Sequence, residues 1–460
     1  MPKRWPFGAV RVNRRTLFKS AAAILAAGFA GKWLVDRFST PDEPSAASLT
    51  FPSDNPAPAV SGTLIDVREF KKTVTVEDLN RTAEAYFARL KNWDFHHALP
   101  LWHPAGAPNQ LNNFAQVLHG LQLLPGMTVV DFGAGSCWAS RWLTQMGMKA
   151  IALDVSPTAL KIGQALYQRL PVIGDRPKPR FLVFDGHRID LPDASVDRIL
   201  CMDTFHHLFN PDEVLREMSR ILKPGGIAGF SEPGPQHSRT PGSQFEMRNF
   251  RVLEDDVHIG EIWSSARRAG FVRIRLAVLS VPTYVLGFSD FEDFMSGGKA
   301  TQRFAEVTRA QMHDRRMFFL QKSGDAPAPD SRGRDGLRAT LEVNLASAAV
   351  KEGSPLTAQV VVTNSGSALW LPHTAGIGAV QLTCHLLDAS GKLLVQGYSR
   401  HPLTPGDGRT IARGETVKID VRIPPPPKGR YVLECDLLSE SVVRFSVVGS
   451  EAVRLAIQII

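Results

Sequence analysis

The chain has 460 residues, with 53 lysines and arginines against 45 aspartates and glutamates, a formal charge of +8 and a pI near 9.4. That length suits about two to four domains with cores of their own. An apolar content of 43% with 21% charged residues excludes a charge-rich disordered chain, and four cysteines exclude a disulfide scaffold. The basic balance is local. Residues 1–37 hold eight basic side chains and one acid, while the other 423 residues carry 45 basic and 44 acidic groups. A near-neutral body argues against nucleic acid as the partner.

The basic stretch closes at Lys19, before the apolar run SAAAILAAGFAG of residues 20–31. This run is shorter than the ~20 residues that span a bilayer, and has the size of a signal-peptide core. NRRTLFK, Asn13 to Lys19, resembles a twin-arginine export signal, with Asn13 in place of Ser or Thr and Leu17–Phe18 in swapped order. Residues 1–38 are therefore expected to be a targeting or membrane segment. Twin-arginine-type export, a surface helix on anionic lipid and an unstructured arm remain open. Residues 39–61, rich in Pro, Ser and Ala, read as a linker.

The next element is a helix from Thr75, with acids in its first turn and Leu79, Ala83, Tyr86, Phe87 and Leu90 at helical spacing. WDFHHALPLWHP follows. His96, His97 and His103 lack a nearby cysteine or an HExxH spacing, so packing or an aromatic cover is expected there and no metal. Leu111 to Leu124 reads as a second helix.

MTVVDFGAGSCWASRWLTQMG, from Met127, reads as a buried strand, a glycine turn and a helix. Gly133 permits the bend and Gly135 lets a ligand approach the backbone. AIALDVSPTALKIGQAL repeats the pattern, its strand ending at Asp154, placed to accept from a ribose diol. PRFLVFDG ends at Asp185–Gly186, SVDRILCMDT passes through Asp203, and IAGFSEP, 227–233, is a fifth strand. Strands alternating with helices over short connections imply a mostly parallel sheet, with its ligand crevice at the strands' carboxyl ends.

These segments resemble a class I S-adenosylmethionine-dependent methyltransferase of the type 11 small-molecule branch. FDGHRIDLPDASVDRILCMDTFHHLFNPDEVLREMSRILKPGG extends the resemblance over residues 110–235. It implies a Rossmann-like α/β domain over 62–323, with S-adenosyl-L-methionine as cofactor. Asp131, Gly133 and Gly135 would surround its methionine end, Asp154 would hold the ribose, and Asp185 and Gly186 would border the adenine, with Asp203 near the same strand ends. Cys137 stands where many members have a third glycine. An NAD-dependent enzyme is the rival on the same sheet, but Trp138 crowds the position its fingerprint gives to glycine. His206 or His207 is the expected catalytic base, with His237 and Glu232 as alternatives. FVRIRLAVLSV and RRMFFLQKSG read as sixth and seventh strands, the last antiparallel on the family's pattern. The enzyme domain is expected on the cytoplasmic side of a membrane that residues 1–38 contact.

SGDAPAPDSRGRDG marks a boundary, with 324–336 as linker and 337–460 as a separate domain. LRATLEV, LTAQVVVTNSG, GAVQLTCHLLDASGK, TVKIDVRI and GRYVLECDLLSE alternate in polarity between turn residues, which predicts an all-β sandwich. The set resembles immunoglobulin-like accessory domains of bacterial polysaccharide assembly, which implies a saccharide partner. Trp370 and Tyr398 are candidate sugar-stacking or core residues. The expected function is methyl transfer to a small-molecule or glycan acceptor. A non-catalytic glycan-binding or scaffold protein with a degenerate methyltransferase domain is the alternative.

Overall fold

The structure is a computed structural model that describes residues 63–278, 284–324, 329–404 and 408–460. It divides into two compact units, one reaching residue 325 and the other covering 326–460.

In the first unit, four helices precede the sheet: α1 (Val67–Lys71), α2 (Val76–Ala88), α3 (Asp94–Ala98) and α4 (Ala107–Leu121). Thr75 caps α2 by accepting the Asp78 amide while the Asp78 carboxylate accepts the Thr75 amide. The alternating part then runs β1 (Thr128–Phe132), α5 (Trp138–Gln145), β2 (Lys149–Asp154), α6 (Pro157–Arg169), β3 (Arg180–Val183), β4 (Val196–Met202), α7 (Pro211–Ile221) and β5 (Leu222–Pro233). It continues through α8 (Pro241–Phe250), α9 (Ile259–Arg268), β6 (Phe271–Leu276), α10 (Phe288–Met295), α11 (Lys299–Asp314) and β7 (Arg315–Lys322).

The seven strands lie in the order β3-β2-β1-β4-β5-β7-β6. β1 to β5 pair in parallel, and β7 runs antiparallel between β5 and β6. β1, β4 and β5 are buried on both faces, as central parallel strands covered by helices must be. Val130, Ile151, Ile199 and Phe230 pack on one face against Val214, Leu215 and Met218 of α7. Val129, Leu200 and Phe319 pack on the other against Val117 and Leu121 of α4 and Leu143 of α5. The expected Rossmann-like α/β core is present. β5 starts at Leu222, five residues earlier than the sequence suggested, because Lys223 to Gly226 continue the strand instead of forming a separate stop.

The second unit holds β8 (Ala339–Leu345), β9 (Ala349–Val350), β10 (Leu356–Asn364), β11 (Val380–Asp388), β12 (Leu393–Pro402), β13 (Thr416–Ile423), β14 (Gly429–Ser439), β15 (Val443–Arg444) and β16 (Val453–Ile459). One sheet has the order β13-β10-β8, and another the order β12-β11-β14-β16-β9, with β15 on β14. Val360 and Val421 of the first sheet share a buried cluster with Leu382, Leu433 and Ile457 of the second. The alternation read in TVKIDVRI is the burial pattern of β13, with Val417, Val421 and Ile423 inward and Lys418, Asp420 and Arg422 outward. Trp370 is a core residue, fully buried and edge-on to Phe445 at 5.2 Å, so it is closed to a ligand. Cys384 and Cys435 are buried thiols on paired strands, their sulfurs 3.2 Å apart.

The expected membrane association is corrected by the structure. Among the described residues no helix is long and apolar enough to cross a membrane. The longest, α11, has only Ala300 and Thr308 buried along 16 residues, because its pattern is that of a surface helix. Residues 1–38 and 39–61, on which the targeting and linker readings fall, lie outside the described residues.

Candidate active site

The turn after β1 is built by conformations that ordinary residues avoid. Gly133 and Gly135 have φ of +71° and +50°. A Cβ on Gly133 would lie 2.1 Å from Cγ2 of Thr204, so the turn closes directly on the residues that follow β4. A Cβ on Gly135 would meet nothing nearer than Phe87 at 3.9 Å. The space beside Gly135 is open, as a backbone approached by a ligand requires.

Asp154, at the end of β2, is tied to this turn. Its carboxylate accepts the Gly135 amide at 2.7 Å and the Ser156 amide at 2.8 Å. Burial raises its pKa, against those amide bonds. Asp131 accepts from Ser140 Oγ at 2.6 Å, and burial pushes it up to about 6. Glu84 of α2 accepts from the Ser156 hydroxyl at 2.6 Å and the Thr158 amide at 3.1 Å, closing the crevice from the helical side.

Asp185 accepts the amides of His187 and Arg188, both at 2.7 Å. Burial alone would raise its pKa, and these amides outweigh that to hold it low. Gly186 has φ +96°, and a Cβ there would strike Val76 Cγ1 at 2.3 Å. Asn80 and Asn210 donate to the carbonyls of Asp185 and Gly186, at 2.7 and 3.0 Å, and clamp this corner between α2 and α7. Asp203 takes a different part: its carboxylate accepts from Arg315 Nη2 at 2.8 Å, which fastens the end of β4 to the start of β7.

Cys137 shows how the missing third glycine is accommodated. It adopts φ +61°, an unusual conformation for a residue with a side chain, and is fully buried. Its sulfur lies 2.2 Å from where a Cβ on Gly163 of α6 would stand. The cysteine fits because α6 has a glycine opposite. Gly163→Ala should therefore cost about 1–3 kcal/mol through overpacking. Cys137→Gly in the same chain should recover most of that. Denaturant unfolding of both single variants and the double would read the coupling, and simple additivity would refute it.

The histidine segment before α4 lies over this region. His96 sits 5.7 Å from Phe87, its carbonyl accepts from Ser136, and burial lowers its pKa to about 4. His97 Nε2 lies 3.2 Å from the Ile162 carbonyl. His103 is exposed.

A second set of groups forms beyond β4 and β5. Glu232 is fully buried and accepts the amides of Thr204, Phe205 and His206 at 3.1, 3.0 and 3.4 Å. It also accepts Nδ1–H of His206 at 2.7 Å. Burial, with Asp203 adding, pushes its pKa up to about 7. Burial also drives His206 well below the usual histidine range, so its ring is neutral. His207 is half exposed and donates from Nδ1 to the Leu253 carbonyl at 2.7 Å. His237 Nε2 donates to Glu254 Oε2 at 2.6 Å, with the Ser243 hydroxyl 3.3 Å from the same nitrogen. Glu254 remains ionised: burial would raise it, but His207, the His237 hydrogen bond and His206 bring it down to about 2. Glu246 of α8 is pushed up to about 7 by burial and by Glu254.

The expected residues thus divide. Asp131, Gly133, Gly135, Asp154, Asp185 and Gly186 line the turns after β1, β2 and β3. His206, His207, Glu232 and His237 come together after β4 and β5, where Thr204, whose hydroxyl donates to the Gly133 carbonyl at 3.3 Å, joins the two groups. The sequence reading missed Glu84, Arg315, Ser243, Glu246 and Glu254. Glu254 carried a signal only in the polar run LEDDVH, where no periodicity selects one acid from three.

Residues 130–230 match a family model described as a methyltransferase domain. A demethylmenaquinone methyltransferase of Renibacterium salmoninarum is 30% identical over 135 residues, 29% of this chain and 53% of that protein. A dimethylglycine N-methyltransferase of Parasynechococcus marenigrum is 29% identical over 145 residues, 31% and 48% of the two chains. An S-adenosyl-L-methionine-dependent Diels-Alderase of Talaromyces variabilis is 25% identical over 157 residues, 33% and 51%. The chain spans about half the length of these curated relatives. Its first unit has the class I S-adenosylmethionine-dependent methyltransferase fold.

Proposed function

We propose that this chain transfers a methyl group from S-adenosylmethionine to a small-molecule or saccharide acceptor. Residues 62–323 form the catalytic domain, and 337–460 an immunoglobulin-like accessory domain that engages the acceptor or its carrier. The observation that carries the donor half is the Gly135–Asp154 hydrogen bond beside open backbone. Each Asp154 oxygen there accepts one backbone amide and keeps a further lone pair for a ribose hydroxyl, beside an open glycine surface.

S-adenosylmethionine supplies a methyl group already activated on a sulfonium sulfur. Asp154 receives the ribose hydroxyls, Asp131 and the Gly133–Gly135 turn border the methionine end, and Asp185 and Gly186 border the adenine. The protein's task is then to align acceptor, methyl carbon and sulfur. The bound donor would supply the methyl carbon to the acceptor atom and its sulfur would keep the electron pair. The acceptor's proton passes to Nδ1 of His237, whose Nε2–H is held by Glu254. His206 and Glu232 are engaged with each other and position the turn that carries His207. The saccharide part of this reading is supported by the strand-and-turn pattern of 340–450, not by Trp370.

Calorimetry of the full chain with S-adenosylmethionine tests the donor site. Asp154→Ala should weaken binding about 100-fold, the loss of two hydrogen bonds to a charged group at about 1.5 kcal/mol each. Unchanged affinity in that variant would sink the assignment.

A further inference from the structure

The cluster after β4 contains donors arranged for something other than proton transfer. His206 Nε2 lies 3.8 Å from Glu254 Oε2, and His207 Nδ1 lies 3.6 Å from Glu254 Oε1. Taken as one donor atom from each side chain, the three lie within 4.8 Å of one another. Among the described residues this is the one group of three or more histidine, cysteine and acidic side chains so arranged.

The tautomer of His206 is fixed from behind. Glu232 takes Nδ1–H at 2.7 Å and is itself held by three backbone amides. Nε2 is therefore left as a lone pair inside the protein, facing a carboxylate oxygen beyond hydrogen-bond range. Two acceptors face each other with no proton between them, an arrangement that a bound cation satisfies. A carboxylate behind a histidine whose other nitrogen points into a donor cluster is the support that metal-binding histidines ordinarily have. A further acceptor adjoins the cluster: Glu246 Oε1 is buried without a hydrogen-bond partner among the described residues.

We infer that His206, His207 and Glu254 bind one divalent transition-metal ion, which holds an oxygen of the acceptor. Two imidazoles and one carboxylate suit zinc, cobalt, manganese or iron(II), and leave positions open for the acceptor. Bonds of about 2.1 Å set tetrahedral donors about 3.4 Å apart; the His207 Nδ1–Glu254 Oε1 pair is already at 3.6 Å, and the set, within 4.8 Å, closes by rotation of the side chains. His207 exchanges its Leu253 contact for the ion. Its half-exposed ring is free to make that change. Glu254 keeps the His237 hydrogen bond on Oε2 and offers Oε1. The ion then draws charge from the acceptor oxygen while His237 removes the proton. As a role in catalysis, this inference rests on the proposed methyl transfer with His237 as base. As a binding site, it does not.

Full-length protein freed of metal with a chelator is titrated with Co²⁺, followed by visible absorption and calorimetry. One equivalent should bind with the intense spectrum of a four- or five-coordinate site. Glu254→Gln and His207→Ala should weaken it at least about 100-fold, and Glu232→Gln about 10–100-fold. His207→Ala carries the test should the buried variants fail to fold, because its ring is half exposed. The inference fails if wild type binds no Co²⁺, or no more tightly than His207→Ala. S-adenosylmethionine affinity, measured in the same samples, reports on the donor site separately. Its retention without Co²⁺ binding overturns the metal site alone, and its absence overturns the methyltransferase reading alone.

Discussion

Replacing His237 by alanine should lower kcat about 10²–10⁴-fold while leaving S-adenosylmethionine affinity nearly unchanged. The expectation comes from the Glu254–His237 pair. The carboxylate takes Nε2–H at 2.6 Å, so Nδ1 is the nitrogen that receives a proton. His206 is less suited: it is buried, and its free Nε2 is turned towards Glu254 at 3.8 Å. A base acts on the acceptor, not on the donor, so the loss belongs in kcat and not in cofactor binding. Glu254→Gln should follow the same direction, because an amide no longer imposes the tautomer. Steady-state kinetics with any accepted substrate, paired with calorimetry, separates the two. A His237→Ala enzyme with wild-type kcat would remove it from the chemistry.

The second large effect is expected at Gly234, the residue after β5. A Cβ there would stand 1.7 Å from the carbonyl oxygen of His313 and 2.7 Å from its carbonyl carbon. Both atoms are backbone at the end of α11, so no rotamer relieves the overlap. Gly234 also donates to the Asp314 carbonyl at 2.9 Å and accepts from His237 and Val257 at 3.3 Å. Gly234→Ala must displace either the β5–β7 pairing or the His237 turn. A destabilisation of at least about 3 kcal/mol follows from overpacking against backbone, a fall of about 6–12 °C in Tm for a unit of this size. Thermal unfolding followed by circular dichroism measures it, and a Tm within two or so degrees of wild type would refute the contact.

The two halves of the site differ in how far they could be read before the structure. Asp131, Gly133, Gly135 and Asp154 form their relations over short stretches, through turns that glycine and strand-end acids prescribe locally. Their pattern therefore survives in the linear sequence. The acceptor half depends on pairings that sequence spacing does not reveal. Asp203 meets Arg315 across 112 residues, and Glu232 meets His206 across 26. Which of two adjacent histidines turns inward depends on the short helical turn at Phe205–His207, whose phase Glu232 fixes from another strand. In the second unit, β8, β10, β11, β13 and β14 were legible as alternating runs. β16 was not, although it alternates too, because VRLAIQI has no turn residues after it to mark a strand. Trp370 was ambiguous because an aromatic before a proline suits a binding face and a core equally. Only its packing on Phe445 decides.

The order β3-β2-β1-β4-β5-β7-β6 has an evolutionary corollary. All turns assigned to the donor lie between residues 131 and 186. His237, Ser243, Glu246 and Glu254 belong to the stretch inserted between β5 and β6. It leaves the carboxyl end of β5 and returns through β6, with β7 between the two strands, in the half of the sheet away from β3. Selection for a new acceptor can change His237, Ser243, Glu246 and Glu254 without touching the turns at residues 131–186, while Gly234 and the core residues Val257, Ile262 and Ala266 stay fixed by packing. Substitutions at those four side chains are the natural route to new acceptor specificity on a constant scaffold.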